Sequence, residues 1–101
     1  MEAISFSELK FRQAKGEKLL VDFFATWCGP CKMLMPRLEQ MGKSYENVSF
    51  VKLDIEQNMD AVAEYGIFSV PTVLIFDGDS LKSKSVGVNT DDFYKNVLDQ
   101  L

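Results

Sequence analysis

Two hydrophobic patterns alternate along the chain. Short, nearly continuous apolar runs predict strands that are buried on both faces, as in a parallel sheet. The clearest run extends from Lys18 to Ala25. Between the runs, apolar residues recur every three or four positions, which is typical of one face of a helix. The patterns predict strands at about residues 18–25, 48–55, 72–76 and 81–88, and helices at about residues 6–15, 31–44, 59–66 and 90–101.

Local signals mark where these elements begin and end. Ser5 and Glu8 have the spacing of a capping box at a helix start. Asp77-Gly78 predicts a turn between two strands, and Thr90 is a suitable cap for the last helix. Helices alternate with strands until the final hairpin, so the sequence predicts the α/β class, with a mixed sheet and helices on both of its faces.

Composition and charge narrow the classes of protein. The chain has 101 residues, of which 47% are apolar and 26% charged. This is the size and composition of one globular domain, so we predict a single domain over residues 1–101. The net charge is −4, and no segment concentrates lysine and arginine. Because a nucleic-acid-binding face is normally basic, we expect no nucleic-acid partner.

No segment of the sequence predicts targeting or membrane attachment. Residues 1–11 lack the basic stretch followed by an apolar stretch that marks a secretory signal. The longest apolar run is interrupted by Asp22 and is far shorter than the roughly 20 residues that span a bilayer. We therefore expect a cytoplasmic protein without a membrane partner.

Cys28 and Cys31 are the only cysteines, and they lie between a predicted strand and a predicted helix. In a cytosolic protein, such a close pair indicates redox chemistry or metal binding rather than a structural disulfide. A structural zinc site needs four nitrogen or sulfur ligands, and the chain contains no histidine. Zinc would therefore require two copies that share their cysteine pairs, so we expect no metal. Two inert buried thiols remain an alternative.

The location of the pair favours redox chemistry. Pro30 suits the first position of a helix, which puts Cys28 at the helix N-terminus. Free N–H groups and the positive end of the helix dipole stabilise a thiolate there, and the thiolate is the nucleophile of thiol–disulfide exchange. Cys31 lies within the first turn, close enough to form a disulfide after a small adjustment. Cys28 would attack a substrate disulfide, and Cys31 would then resolve the mixed disulfide.

Several separated motifs, which together cover nearly the whole chain, resemble those of the thioredoxin family. They are Val21-Asp22-Phe23, Trp27-Cys28-Gly29-Pro30-Cys31 followed by Lys32 and Pro36, Tyr65-Gly66-Ile67, Val70-Pro71-Thr72, Phe76-Asp77-Gly78 and Val86-Gly87. The resemblance implies a thioredoxin-like fold, with a central mixed sheet of about five strands flanked by about four helices. It also implies a protein-disulfide reductase that acts in cell redox homeostasis and needs no bound cofactor.

The resemblance further implies partners and the roles of individual residues. The partners are disulfide-containing proteins and a thioredoxin reductase of the NADPH/flavin type, and we expect the chain to be a monomer. Cys28 is the attacking thiol, Cys31 is the resolving thiol, and the Val70–Pro71 bond is cis. Without the resemblance, Pro71 would be interpreted as an ordinary turn proline. The residues that would receive substrate are Trp27, Gly29, Pro30, Val70, Pro71 and Gly87.

Asp22 interrupts an apolar strand, where a charge is costly. If this carboxyl is buried, its pKa is raised and it could accept a proton from Cys31. Alternatively, the side chain points to water, because Val21 and Phe23 do not decide which face it occupies. The resemblance implies the buried proton-relay role, and it places Lys52 nearby. Alternatively, Lys52 is an exposed lysine at a sheet edge.

Three residues depart from the family pattern. Phe24 stands where tryptophan is common, Met35 where a small residue is common, and Phe68 where a polar or basic residue is common. Two other functions compete with the reductase: a rigid binding module with incidental cysteines, and an oxidase or isomerase of an oxidising compartment. A Gly-Pro dipeptide between the cysteines, in place of a histidine, favours the reductase.

Overall fold

The computed structural model describes residues 1–101 and contains a five-stranded sheet with four helices. The strands are β1 (Glu2–Ala3), β2 (Lys18–Phe24), β3 (Val48–Asp54), β4 (Thr72–Asp77) and β5 (Ser80–Val86). The helices are α1 (Phe6–Ala14), α2 (Gly29–Gly42), α3 (Met59–Tyr65) and α4 (Asp91–Leu98). The predicted α/β class and the alternation of helices with strands are confirmed.

The sheet is mixed, and β2 lies at its centre. The strand order is β1-β3-β2-β4-β5. β3 is parallel to both β1 and β2, whereas β4 is antiparallel to both β2 and β5. The parallel pairing of β2 with β3 runs in register from Lys18 opposite Val48 to Phe24 opposite Asp54. The loops that follow β2 and β3 therefore leave the sheet at the same edge, the usual location of sites in α/β folds.

Strand β1 is absent from the sequence prediction. It has two residues, Glu2 opposite Val51 and Ala3 opposite Lys52, and both are exposed. A strand this short has no hydrophobic alternation of its own, and it exists because β3 offers free backbone groups at its edge. The other differences are shifts of one to three residues at element ends, which is the normal uncertainty of helix and strand boundaries. Helix α2, for example, begins at Gly29 rather than Cys31.

Both faces of the sheet are buried. One layer of the core packs β2 against α1 and α3 and includes Leu9, Leu19, Val21, Phe23 and Ala61. The other packs β2 and β4 against α2 and α4 and includes Leu20, Leu34, Leu38, Val73 and Tyr94. Because successive side chains of a strand point to opposite faces, Asp22 lies on the same face as Leu20, toward α2.

Side chains cap two of the helices where the sequence predicted caps. The Ser5 hydroxyl accepts a hydrogen bond from the Glu8 N–H at 3.1 Å. The Thr90 hydroxyl accepts one from the Phe93 N–H at 3.2 Å. Such caps satisfy N–H groups that have no partner within the helix. None of the four helices has both the length and the apolar character that crossing a membrane requires.

Candidate functional site

The two cysteines lie where β2 leads into α2, and their sulfur atoms form a disulfide. Cys28 is the N-cap of α2 and has an extended backbone conformation. Its Sγ accepts a hydrogen bond from the Cys31 N–H at 3.2 Å, and the two Cα atoms are 5.3 Å apart. The sulfur of Cys28 therefore faces free N–H groups at the positive end of a helix, as the sequence predicted. In the reduced protein, the N–H group and the helix dipole stabilise a thiolate at this position.

The cysteines are nearly enclosed by apolar residues. Cys28 is 4% exposed and Cys31 is 1% exposed, and both pack against Ala25. Phe24, Ile55 and Val70 surround this small cluster. Cys28 is thus the more accessible of the two, and a substrate sulfur must approach from its side. No group of three or more histidine, cysteine, aspartate or glutamate side chains is arranged to hold a metal ion.

A second loop, which contains Val70 and Pro71, lies against the disulfide. The Val70–Pro71 peptide bond is cis, as the resemblance implied. The carbonyl oxygen of Val70 is 3.7 Å from the Sγ of Cys28. The N–H of Gly87 donates a hydrogen bond to the carbonyl oxygen of Pro71 at 2.8 Å. Three separate segments of the sequence therefore meet around Cys28.

Asp22 is fully buried on the face of the sheet that α2 covers. Neither of its carboxylate oxygens has a hydrogen-bond partner. Burial raises the pKa of this carboxyl from 3.8 to about 7, although the positive charge of Lys52 lowers it in part. The alternative in which Asp22 points to water is therefore wrong. The carboxyl can gain or lose a proton close to neutral pH.

Lys52 lies opposite Asp22 in the parallel register of β2 and β3. Its ammonium group donates a weak hydrogen bond to the Sδ of Met35 at 3.5 Å, and it lies 5.6 Å from the centre of the Phe24 ring. It makes no hydrogen bond to Asp22, so their attraction acts across a gap. Lys52 is half-buried rather than an exposed edge lysine. Two of the departures from the family pattern, Phe24 and Met35, are its neighbours.

The surface beside Cys28 is apolar. Trp27 is 66% exposed and Phe68 is 95% exposed. Beside Cys28 lies a groove, which we call the apolar groove, lined by Trp27, Ile55, Ile67, Phe68, Ser69 and Val70. Sequence reasoning missed Ile55 and Ile67. Ile55 ends the predicted strand 48–55 and Ile67 belongs to the Tyr65-Gly66-Ile67 motif, so both were visible in the sequence, but neither was assigned to the site.

The remaining residues of the predicted substrate surface adjoin this region. Gly29 and Pro30 are exposed in the first turn of α2. Pro71 follows Val70, which lines the groove, and the N–H of Gly87 is hydrogen-bonded to the carbonyl oxygen of Pro71. The residues named from the sequence are thus brought together at one end of the sheet.

Comparison with known proteins agrees with this geometry. The thioredoxin family model matches residues 4–100 of the chain. A thioredoxin of Echinococcus granulosus is 49% identical over 76 residues, which cover 74% of this chain and 71% of the relative. Thioredoxin-2 of Saccharomyces cerevisiae is 41% identical over 86 residues, which cover 84% of this chain and 83% of the relative.

Solved structures agree in the path of the backbone. The oxidised form of mitochondrial thioredoxin 3 from Saccharomyces cerevisiae superposes with a TM-score of 0.87 at 32% identity, covering 98% of this chain and 94% of that chain. A thioredoxin of Fasciola hepatica superposes with a TM-score of 0.87 at 29% identity over the whole of both chains. Together with the Cys28–Cys31 pair at the start of α2, these matches show that the chain belongs to the thioredoxin family and is a thiol–disulfide oxidoreductase.

Proposed function

We propose that this protein reduces disulfide bonds in other proteins, with Cys28 as the attacking thiol and Cys31 as the resolving thiol. The observation that carries the proposal is the position of the Cys28 sulfur, which accepts a hydrogen bond from the Cys31 N–H at the start of α2. The same N–H and the helix dipole stabilise the Cys28 thiolate in the reduced protein. The slightly greater exposure of Cys28 supports the same assignment of roles.

The reaction takes place in two exchange steps. The Cys28 thiolate attacks one sulfur of the substrate disulfide, and the other substrate sulfur leaves as a thiolate and takes a proton. Cys31 then loses its proton and attacks the Cys28 sulfur, which releases the second substrate sulfur as a thiol. Two electrons pass to the substrate, and the protein is left with the Cys28–Cys31 disulfide that the structure contains.

We assign Asp22 as the base that accepts the proton of Cys31. Its carboxyl is buried on the side of the sheet that faces α2, and burial raises its pKa to about 7. A base with this pKa is efficient near neutral pH. The positive charge of Lys52 limits the rise in the pKa of Asp22, so that part of the carboxyl stays ionised and able to accept a proton.

The substrate-binding surface in this proposal comprises Trp27, Gly29, Pro30, Val70, Pro71 and Gly87. The substrate lies along Val70 as an extended segment, in the manner of an added strand. The closeness of the Val70 carbonyl to the Cys28 sulfur supports this arrangement, because a segment paired with Val70 brings its own cysteine to Cys28.

The oxidised protein needs two electrons to act again, so the cycle requires a reductase. We propose a thioredoxin reductase of the NADPH/flavin type, with the chain acting as a monomeric, single-domain electron carrier over residues 1–101. We place it in the cytoplasm, where the reducing environment keeps a cysteine pair in the dithiol form.

A trapping experiment tests the roles of the two cysteines. Reduced wild-type protein, Cys28→Ser and Cys31→Ser are each mixed with insulin and separated on a non-reducing gel. We expect the wild type to reduce insulin, and only Cys31→Ser to accumulate a covalent adduct that dithiothreitol releases. An adduct with Cys28→Ser instead would reverse the assignment.

The redox potential of the cysteine pair distinguishes the competing functions. Equilibration in dithiothreitol buffers should give a value of about −270 mV, as for thioredoxin, rather than the roughly −180 mV of protein disulfide isomerase. A value near that of the isomerases would favour an oxidase or isomerase. The absence of a reversible couple would favour a binding module.

A further inference from the structure

We propose that the apolar groove beside Cys28 selects substrates that carry a large apolar side chain two positions from their target cysteine. The proposal rests on the proposed function, since it names the substrate class of the same site. Phe68 is the residue that determines this preference. Of the large hydrophobic residues at the surface, Phe68 is the most exposed, so its ring is the one most available to a bound substrate.

Phe68 is exposed to a degree that folding does not explain. Its side chain is 95% exposed, so it contributes almost no buried area to the stability of the domain. A Cβ atom at Gly66 would lie 3.7 Å from the edge of the Phe68 ring, so the ring stands beside the end of α3. Phe68 lines the apolar groove together with Trp27, which is also exposed, and neighbouring exposed apolar residues of this kind mark an interaction surface.

The loop beneath the Phe68 ring is held in place. The ammonium group of Lys84, on β5, donates hydrogen bonds to the carbonyl oxygens of Tyr65 and Gly66 at 2.9 and 3.0 Å. These two carbonyls lie at the end of α3, where they have no partner within the helix. The wall that Phe68 forms is therefore attached to the sheet before any substrate binds, which reduces the entropy cost of binding.

The lining of the groove determines what it can accept. Five of its six residues are hydrophobic, and the sixth is Ser69. A charged side chain placed there would lose its water without gaining a partner. The groove has a volume of about 480 Å³, which is sufficient for an aromatic side chain. Its chemistry therefore fits phenylalanine, leucine or a similar side chain.

The groove is continuous with the site of attack. Val70 lines the groove, and its carbonyl oxygen is 3.7 Å from the Cys28 sulfur. In an extended segment, side chains two positions apart point to the same side and are roughly 7 Å apart. A substrate whose cysteine points at Cys28 therefore points the residue two positions away at the same surface. On one side of the cysteine, that residue enters the groove.

Three peptides test the proposal. Each peptide has one cysteine in a mixed disulfide with 2-mercaptoethanol. The peptides differ only at the positions two residues before and two residues after this cysteine. The first peptide has glutamine at both positions, the second has phenylalanine before the cysteine, and the third has phenylalanine after it. The measured quantity is the second-order rate constant for reaction with the reduced protein. We expect one phenylalanine peptide to react at least tenfold faster than the glutamine peptide.

Variants at Phe68 connect this preference to the groove. Phe68→Gln should reduce the ratio of the rate constants of the faster phenylalanine peptide and the glutamine peptide to below about threefold. Phe68→Ala should do the same independently. Phe11→Gln is the matched control, because Phe11 is an exposed aromatic on α1, away from the groove. It should keep the full ratio. Urea unfolding of each variant verifies that it is folded. A ratio near one in the wild type, or a ratio that survives both Phe68 substitutions, overturns the proposal.

Two further measurements separate the possible failures. Hydroxyethyl disulfide, which has no side chains, reports on the cysteines alone. If the wild type fails to reduce hydroxyethyl disulfide, the proposed function fails. If the wild type reduces this compound but shows no peptide preference, only the groove proposal fails. Sedimentation at the assay concentration tests whether a second copy fills the groove. Self-association that Phe68→Gln abolishes, without a peptide preference, would also overturn the proposal.

Discussion

Replacing Asp22 by asparagine should stabilise the protein, and the gain should depend on pH. Asp22 is fully buried, and neither carboxylate oxygen has a hydrogen-bond partner. Ionising this group in the folded protein is therefore costly, because no donor compensates for the lost water. Asparagine has nearly the same shape and carries no charge. The substitution removes the cost of the charge while leaving the packing nearly unchanged.

The size and sign of the effect follow from the pKa. The Asp22 carboxyl has a pKa near 3.8 in the unfolded chain and about 7 in the folded protein. Between these values the folded state binds more protons, so the free energy of unfolding falls as pH rises. A shift of about three pKa units corresponds to about 4 kcal/mol. This loss begins near pH 4, where it is still small, and is nearly complete above pH 7. Asp22→Asn should avoid it.

Urea unfolding of the oxidised proteins, followed by circular dichroism, measures this difference. The free energy of unfolding of Asp22→Asn minus that of the wild type should be below about 1 kcal/mol at pH 4 and should increase to about 4 kcal/mol at pH 8. Asp79→Asn, at an exposed position in the β4–β5 turn, is the matched control and should change stability by less than about 0.5 kcal/mol. A difference that is the same at every pH would refute the reasoning.

Three other substitutions test a charge effect, a hydrogen bond and a backbone conformation, respectively. Lys52→Gln should raise the pKa of Asp22 above about 7, because the Lys52 charge lowers this pKa. Carbon NMR of the Asp22 carboxyl measures the shift. Lys82→Gln is the control and should leave the pKa of Asp22 unchanged. Tyr94→Phe should cost about 1 kcal/mol in urea unfolding, because the buried Tyr94 hydroxyl accepts a hydrogen bond from the Asn89 N–H at 3.1 Å. No loss of protection at the Asn89 amide in hydrogen exchange would argue against this contact. Gly66→Ala should cost about 1 kcal/mol, because Gly66 ends α3 at a φ of 62°. An unchanged melting temperature would contradict this expectation.

The sequence predicted the class of fold and the location of the cysteines because these depend on local signals. Continuous apolar runs indicate strands covered on both faces, and the Pro30 position indicates where α2 begins. The same continuity left the orientation of Asp22 undecided. When both faces of a strand are buried, alternation carries no information about which residue faces which layer. The packing of α2 over the Leu20 face decides it.

Features that depend on distant pairing lay beyond the sequence. Strand β1 has only two exposed residues, and its existence depends on the edge of β3. The apolar groove combines Trp27 with Ile55 and Phe68, which lie 28 and 41 positions further along the chain. Phe68 stood out as a departure from the family pattern, but only the fold brings it to the same groove as Trp27.

The short separation of the two cysteines has a consequence for the cost of switching between redox states. The disulfide joins residues only three positions apart, so it closes a very small loop. In the chain-entropy description, such a loop restricts the unfolded chain by only about 2 kcal/mol, well below the effect of a bridge between distant segments. Oxidation and reduction therefore alter the conformational freedom of the unfolded chain only slightly. The chain-entropy effect therefore shifts the potential of the pair less than it would for a bridge between distant segments, which leaves a larger share to the local environment of the Cys28 sulfur.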